Sequence, residues 1–575
     1  MFLTDRWYLF SNMKNYKNHI LFLVILLIGS LFRFWNMNWD EGFHLHPDER
    51  FLTMVGNSMR IPNNLLSYLD PKVSTFNPQN INYPFFVYGT FPLVLNKIIV
   101  SLLNSDTYFQ FTLFGRIVSA FFDLCIIALI YKTVELLEKK YRLSRSIKFL
   151  ASFFYSITVF PIQLSHFFAV DTFLNFFMFA SFYFILKYSF EKKISFLVFS
   201  AILMGLAFAC KITAAFIFPL NMFFLFIGNN KNHISKIFTR KLFQTSYSGF
   251  ILFLFYATIV YFTLRIADPY MFENSSILHP EINKLFIQNL KTLSTLTGKG
   301  ATYPPTIQWI NKTPILFSLT NIIVFGVGVI YFLFILIGFY TSLKVYKNIF
   351  RTILVWTIGF FLYQASQFAQ SMRYFIPIYP FLAIFAGVGF FYLTKKWKKI
   401  FVILLLIVPL LYPLAFISIY RNETTRVTAS KWIYKNIPDG SLLLGEHWDD
   451  PLPLLVTNTK QKQFISEALP VFDMDTNEKI NKIKSALKKA DYYILSSNRA
   501  WGSIPTVPEK YPLMSKFYKD LFNGKLQYKK IKEFASCPSF RYLGIPIDFP
   551  DDWAEEAFTV YDHPKVIIFK KNSIK

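Results

Sequence analysis

"ISFLVFSAILMGLAFACKITAAFIFPLNMFFLFI", residues 194–227, holds a single charge, Lys211, near its middle. A helix needs roughly 20 residues to cross the hydrocarbon layer, so this stretch is too long for one crossing and the chain turns back near Lys211. A lysine at such a turn sits at a membrane surface. The same character recurs along the 575 residues, 54% of them hydrophobic and 20% aromatic, far beyond what one soluble core requires. Apolar runs fall at 20–35, 111–131, 149–164, 172–188, 194–210, 212–227, 250–264, 321–340, 353–368, 374–393 and 400–419, eleven in all. The pattern is that of a polytopic α-helical membrane protein.

A twelfth run, 84–103, is less apolar and contains Pro84, Gly89, Pro92 and Lys97. Charge decides its placement. If it crossed, "EKKYRLSRSIK" (138–148) would lie outside and the charge-poor "SHFFAVD" (165–171) inside, against the positive-inside rule. If it lies along the outer surface, then "EKKYRLSRSIK", "FEKK" (190–193), "NKNHISKIFTRK" (230–241), "SLKVYKNIFR" (342–351) and "TKKWKK" (394–399) become cytoplasmic, with Arg6, Lys14 and Lys17. About 11 transmembrane helices follow, in a plasma membrane, with the N-terminus cytoplasmic and the C-terminal part extracytoplasmic. The net charge of +26 is thus an orientation signal rather than a footprint for nucleic acid. The first run lacks a small-residue cleavage site after it and reads as a retained helix. Cys125 and Cys210 lie in apolar runs and Cys537 stands alone in the tail, so no disulfide framework is expected.

On this topology the outer face gathers a long first loop, 36–110, the short "SHFFAVD", Lys211, the loop around "YPPTIQW", the short "QSMRYF" (370–375) and everything after Tyr420. In "WDEGFHLHPDERF" (39–51) four carboxylates and two histidines stand within ten residues. Carboxylates at a membrane boundary can serve as general bases for an attacking hydroxyl or amine. Asp40, His44, His46 and Glu49 are also usable ligands for a divalent metal, so a metal cofactor stays open. A plainer reading makes Asp48 the N-cap of an amphipathic helix, with Arg50 paired to a nearby acid. Asp171 likewise fits a cap for the helix starting at Thr172. Arg116 sits inside an apolar run, where a guanidinium is costly unless it meets an anion, and its planar fork of donors suits phosphate. With Lys211, Arg265 and Arg373 it suggests a basic collar at the outer helix ends, fitted to a lipid phosphate at headgroup level.

Six motifs in order, "LFRFWNMNWDEGFHLHPDERF", "NINYPFFVYGTFPLVLNKIIVSLLN…LFGRIVSAFFD", "LSHFFAVDTFLNFF", "GLAFACKITAAFIFPL", "YPPTIQWI…NIIVFGVG" and "MRYFIPIYPFLAIFAG", resemble the membrane half of lipid-carrier-dependent glycosyltransferases of the GT-C fold. The resemblance is to the branch related to protein O-mannosyltransferases (family 39) and bacterial aminoarabinose transferases, over about residues 20 to 420. It implies that Asp48 is the catalytic base, with Glu49 beside it binding acceptor or donor; that Arg116 meets the lipid phosphate; and that His166 and Asp171 form a second acidic site. It further implies that Lys211, Arg373 and the adjoining Tyr374 lie near the carrier phosphate. The donor implied is a polyprenyl-phosphate-linked sugar, transferred with inversion to a protein, lipid or glycan acceptor, with membrane lipids as surroundings. One departure is the extra "WDEGFHLH", which makes Asp40 a rival to Asp48 for the base.

The division expected is 1–420 for the membrane glycosyltransferase domain and 421–575 for an extracytoplasmic α/β domain. In the latter "ETTRVTASKWIYKNI" has helical spacing, while "GSLLLGEHW", "ADYYILSS" and "KVIIFKK" read as strands. The tail resembles the outer domain of many bacterial and archaeal members of the same group. The competing function is a polyprenyl-lipid or polysaccharide transporter or flippase. Transporters carry charges or broken helices near mid-membrane, whereas these charges gather at outer helix ends.

Overall fold

In a computed structural model of the chain, residues 2–229, 241–300, 303–345, 349–457 and 459–572 are described. The basic segment 230–240 and residues 346–348 of "SLKVYKNIFR" lie outside them, as do the side chains of Arg6 and Lys14. Each of the eleven apolar runs is helical over most of its length. Among the described residues six helices are long and apolar enough to cross a membrane: Tyr16–Phe34, Tyr108–Tyr141, Val170–Glu191, Gly249–Ala267, Met372–Thr394 and Lys399–Asn436. The count reaches eight if two bent pairs each make one span, Ser146–Ser156 with Val159–Ser165 (55°) and Leu316–Val327 with Val329–Lys344 (112°). Ile194–Cys210, Ile212–Phe226 and Ile349–Ala365 are shorter apolar helices. The long stretch does break at Lys211, whose backbone is extended (φ −165, ψ 138) between the helix ending at Cys210 and the 3₁₀ turn Ile212–Ile217.

The twelfth run forms only a 12-residue helix, Phe91–Leu102, about 18 Å long and too short to cross. Its Lys97 pairs with Asp106 at 2.6 Å. The chain before it is pressed against the Lys211 turn, the Gly89 amide donating to the Cys210 carbonyl at 2.9 Å. A Cβ on Gly89 would lie 2.0 Å from the Ala209 carbonyl oxygen, so only glycine permits this approach.

Within the bundle, Arg33 and Asp123 form a fully buried ion pair at 2.6 Å. The Tyr155 hydroxyl donates to the same carboxylate at 2.6 Å, and Arg33 also donates to the Ser156 and Tyr155 carbonyls at 2.9 and 3.1 Å. Three helices are pinned by one charge pair whose polar atoms find partners inside the protein.

The tail builds one five-stranded sheet: β1 Leu442–Glu446, β2 Ile465–Leu469, β3 Tyr492–Leu495, β4 Tyr528–Phe534 and β5 Val566–Lys571, in the order β2-β1-β3-β5-β4. β1 runs parallel to β2 and β3, while β5 is antiparallel to β3 and β4. Helices Thr425–Asn436, Asn477–Lys489 and Pro512–Phe522 bury apolar side chains against it.

The segment before β5 folds back onto the helix bundle. There His563 is held between two carboxylates, its Nδ1 at 2.5 Å from Asp562 and its Nε2 at 2.9 Å from Asp551. Asp562 also accepts from the Gln163 amide at 3.0 Å and the Tyr420 hydroxyl at 2.7 Å. Burial alone would favour the neutral ring, but Asp562 and Asp551 together push the His563 pKa up to about 10. A group whose pKa rises on folding from 6.5 to about 10 stabilises the fold fully below 6.5 and loses that contribution as pH rises through about 10. Thermal unfolding in detergent should therefore show stability falling across that alkaline window, and His563→Gln should remove this dependence while lowering stability at neutral pH. A variant with the same alkaline slope would exclude the clamp.

Candidate active site

The helix Pro47–Ser58 is set by His46, not by Asp48. His46 is its N-cap, its Nδ1 accepting from the Glu49 amide at 3.2 Å, and Pro47 occupies the first turn with its missing N–H. Asp48 and Glu49 are therefore consecutive first-turn residues, and consecutive helix positions point about 100° apart. Glu49 turns inward and Asp48 outward.

Inward, Arg116 spends all five of its N–H donors. It binds Glu49 at 2.9 and 2.5 Å, Asp40 at 3.0 and 2.8 Å, and the Met37 carbonyl at 2.8 Å. It is 2% exposed, and its guanidinium lies 4.9 Å from the Trp39 ring centre. Asp40 also accepts from the Leu45 amide at 3.2 Å, and Glu49 from the Phe168 amide at 2.7 Å. Burial works against the charge on both carboxylates. At Asp40 the Arg116 guanidinium overcomes it and holds the carboxyl below its usual range, whereas at Glu49 burial prevails and the carboxyl is raised. One guanidinium serves two carboxylates, so Glu49 takes the first proton.

This arrangement corrects two readings of the sequence. Arg116 has no donor left for a lipid phosphate, and Glu49 is closed off from any ligand, so both brace the site. The four suggested metal ligands do not converge: Asp40 and Glu49 face Arg116, His44 Nδ1 lies 3.0 Å from the Thr112 hydroxyl, and His46 caps its helix between Phe167 and Tyr561. No group of three His, Cys, Asp or Glu side chains able to hold a metal occurs among the described residues. Asp40 is equally unavailable as a base.

Outward, Asp48 meets Arg373 in an ion pair. Arg373 lies in the 3₁₀ turn Met372–Ile378, 325 positions away along the chain. Asp48 remains 29% exposed. Burial would raise its carboxyl, but Arg373, helped by His46 and Lys211, brings it down to about 2. It is ionised at neutral pH.

Two cavities open from this pair. One, of about 520 Å³, is lined by Asp48, Tyr88, Tyr303 and Arg373 on the bundle side and by Arg426, Trp448, Arg499 and Glu555 from the tail. The other, of about 450 Å³, is lined by Asp171, Lys211, Arg373 and Tyr374 together with Phe216, Leu290, Phe360 and Tyr363. Arg373 and Tyr374 border both. Lys211 pairs with Asp171 at 2.8 Å and its ammonium lies 5.2 Å from the Tyr374 ring centre. Asp171 is in the first turn of Val170–Glu191, whose N-cap is Ala169, so its side chain serves Lys211 rather than the helix end.

The expected collar of four cations is thus two. Arg265 donates to the Asn274 and Ser276 carbonyls at 2.6 and 2.7 Å. His166 is also internal, its nitrogens at 2.8 and 3.0 Å from the Ile162 and Trp35 carbonyls and its ring stacked on Tyr420 at 3.7 Å. Arg50, assigned to a neighbouring acid, reaches Asp450 of the tail at 2.6 Å. Of the tail residues of the first cavity, Trp448, Asp449 and Asp450 stand in "EHWDDPLP", an acidic stretch that could face the acceptor but reads more readily as a surface loop, while Arg426, Arg499 and Glu555 escaped sequence reasoning because nothing in their local pattern ties them to position 48.

Bundle, tail sheet and the charged clefts between them make up a GT-C fold. Residues 106–266 match the family model "Dolichyl-phosphate-mannose-protein mannosyltransferase", so the resemblance read from the motifs recurs over that segment. The chain shares its fold with the oligosaccharyltransferase of Archaeoglobus fulgidus, crystallised with Zn and sulfate (TM-score 0.50, 12% identity, 96% of this chain and 88% of that one). ArnT of Cupriavidus metallidurans bound to undecaprenyl phosphate also aligns (TM-score 0.44, 10% identity, 96% and 97%), as does the S. cerevisiae protein O-mannosyltransferase Pmt1-Pmt2 complex bound to the sugar donor (0.31, 14%, 44% and 34%). No curated protein sequence matches the chain.

Replacing Arg116 with Ala would leave two buried carboxylates without their cation, a loss of about 3–5 kcal/mol for a pair of this kind. The variant should unfold at markedly lower temperature in detergent. If it stays as stable as the parent and loses only carrier affinity, the bracing role is wrong.

Proposed function

We propose that the protein is an integral membrane glycosyltransferase that moves a sugar, with inversion, from a polyprenyl-phosphate donor to an acceptor at the outer membrane face. The observation that carries this reading is the Asp48–Arg373 pair standing where two cavities of different chemistry meet. The cavity with Lys211 and Arg373 has aromatic and aliphatic walls, which suits a phosphate whose lipid tail stays in the bilayer. The cavity with Asp48 is rimmed by charged side chains of the tail, which suits a polar acceptor. The family match over 106–266 supports a polyprenyl-phosphate sugar as donor.

In the reaction the acceptor nucleophile attacks the anomeric carbon as its bond to the phosphate oxygen breaks. The electron pair leaves on the phosphate, where Lys211 and Arg373 offset the developing charge. Asp48, ionised and facing the opposite cavity, accepts a hydrogen bond from the attacking group and orients it. Arg373 exchanges Asp48 for phosphate when the donor arrives, which frees the carboxylate for the acceptor. The positive-inside distribution of Lys and Arg supports an outward-facing site, a cytoplasmic N-terminus and an extracytoplasmic 421–575 domain above a 1–420 membrane domain.

Asp48→Asn should cut release of polyprenyl phosphate from a polyprenyl-phosphate-mannose probe by about 10²-fold or more while leaving carrier affinity near normal. Lys211→Ala should weaken polyprenyl phosphate binding by about tenfold, near 1.4 kcal/mol. Full turnover by the Asn variant removes Asp48 from the chemistry, and unchanged affinity in the Ala variant moves the phosphate elsewhere.

A further inference from the structure

The first cavity contains five carboxylates, and four are matched by a cation. Asp48 pairs with Arg373; Asp449 and Asp450 pair with Arg426 at 2.7 and 3.0 Å; Glu556 pairs with Arg499. The fifth, Glu555, has no ion-pair partner among the described residues. It is nevertheless 1% exposed, and it lines the cavity beside Asp48 and Arg373.

Its position is built by both halves of the molecule. The Glu555 amide donates to Asn321 Oδ1 at 2.8 Å, anchoring the segment to the bundle. Its Oε2 accepts from the Ser371 hydroxyl and the Met372 amide, both at 3.4 Å, two and one residues before Arg373. These are long bonds for a carboxylate, and an isolated buried charge held so loosely is poorly compensated. A structural carboxylate would have a better partner.

We propose that Glu555 is the second acid–base residue of the site, the group that receives the proton released by the acceptor as the sugar is transferred. The inference rests on the transferase reading above. The bond forming is from acceptor oxygen or nitrogen to the anomeric carbon, and the bond breaking is from that carbon to the phosphate oxygen. The electron pair departs with the polyprenyl phosphate. The acceptor proton passes to the Glu555 carboxylate, which becomes the neutral acid and returns the proton to water once the product leaves. Asp48 serves as the orienting group, whereas Glu555, the one carboxylate of this cavity with no cation partner among the described residues, takes the proton near neutral pH.

The groups around it account for that difference. Burial, and then the adjacent Glu556, push the Glu555 carboxyl up to about 7, against the Met372 and Ala557 amides and the Arg373 guanidinium. Tyr561 on its own segment, Tyr374 on the Arg373 turn, Asp48 and Arg50 on the Pro47–Ser58 helix, Tyr88, Tyr303, and Arg426, Asp449, Asp450 and Arg499 of the tail are the other charged and titratable groups lining this cavity.

Two measurements on the full-length protein in detergent test this, one of them independent of turnover. Difference infrared spectra should show a protonated carboxyl that ionises as pH rises through about 7. That signal should vanish in Glu555→Gln and persist in Asp48→Asn. In the same pH range, polyprenyl phosphate release from polyprenyl-phosphate-mannose, by transfer or hydrolysis, should rise along a limb that Glu555→Gln lacks. That variant should be slower by about 10²-fold on the plateau, with Glu555→Asp restoring part of the rate and the limb. Because Gln keeps the shape and the two long hydrogen bonds, its unfolding temperature should stay near that of the parent. The proposal is overturned if no carboxyl signal depends on Glu555, or if Glu555→Gln keeps the parental rate and pH profile. If Glu555→Gln is unchanged while Asp48→Asn is inactive, this inference fails and the transferase reading stands. Failure of the parent protein to release carrier from any probe would sink that reading instead.

Discussion

The structure turns on a guanidinium that binds nothing but the protein. Arg116 draws Asp40, Glu49 and the Met37 carbonyl onto the N-terminal part of the Tyr108–Tyr141 helix, and Glu49 in turn holds the Phe168 amide. That fixes the first turn of the helix Pro47–Ser58, and with it the direction of Asp48. The cost of burying three charges is offset because every donor of the cation is used and each carboxylate has further partners. Rigid support is what a carboxylate that orients a nucleophile requires, since small displacements at the chemistry are expensive.

In front of that brace the charges are arranged differently. Arg373, Asp48, Lys211 and Asp171 form two pairs that border cavities and retain some exposure. Pairs of this kind can be exchanged for a ligand anion at modest cost, whereas the Arg116 cluster cannot. The molecule thus separates structural from exchangeable electrostatics at one end of the bundle. The tail contributes to both. His563 and Asp562 bind it to Gln163 and Tyr420, while Arg426, Arg499 and Glu555 face the cavity.

Much of the membrane fold was legible because hydrophobic run length and Lys/Arg placement act locally. The break at Lys211 and the short helix at 91–102 both followed from such signals. In the tail, "GSLLLGEHW", "ADYYILSS" and "KVIIFKK" correspond to β1, β3 and β5. β2, "ISEAL", and β4, "YKKIKEF", escaped notice because both are exposed edge strands whose apolar residues are interrupted by charged ones. At the site, residue types were readable but partners were not. A buried arginine near an outer helix end is equally suited to a phosphate or to two carboxylates, and only the fold shows that Asp40 and Glu49 arrive first. Asp171 looked like a helix cap because its partner lies 40 positions away at Lys211.

The central claim is that donor phosphate and acceptor meet at the Asp48–Arg373 pair. A structure of the protein with polyprenyl phosphate tests it most directly. The account predicts phosphate density within hydrogen-bond reach of Lys211 and Arg373, with Arg373 withdrawn from Asp48 and Arg116 still bound to Asp40 and Glu49. Phosphate lodged against Arg116, or far from both cavities with the Asp48–Arg373 pair intact, would contradict it.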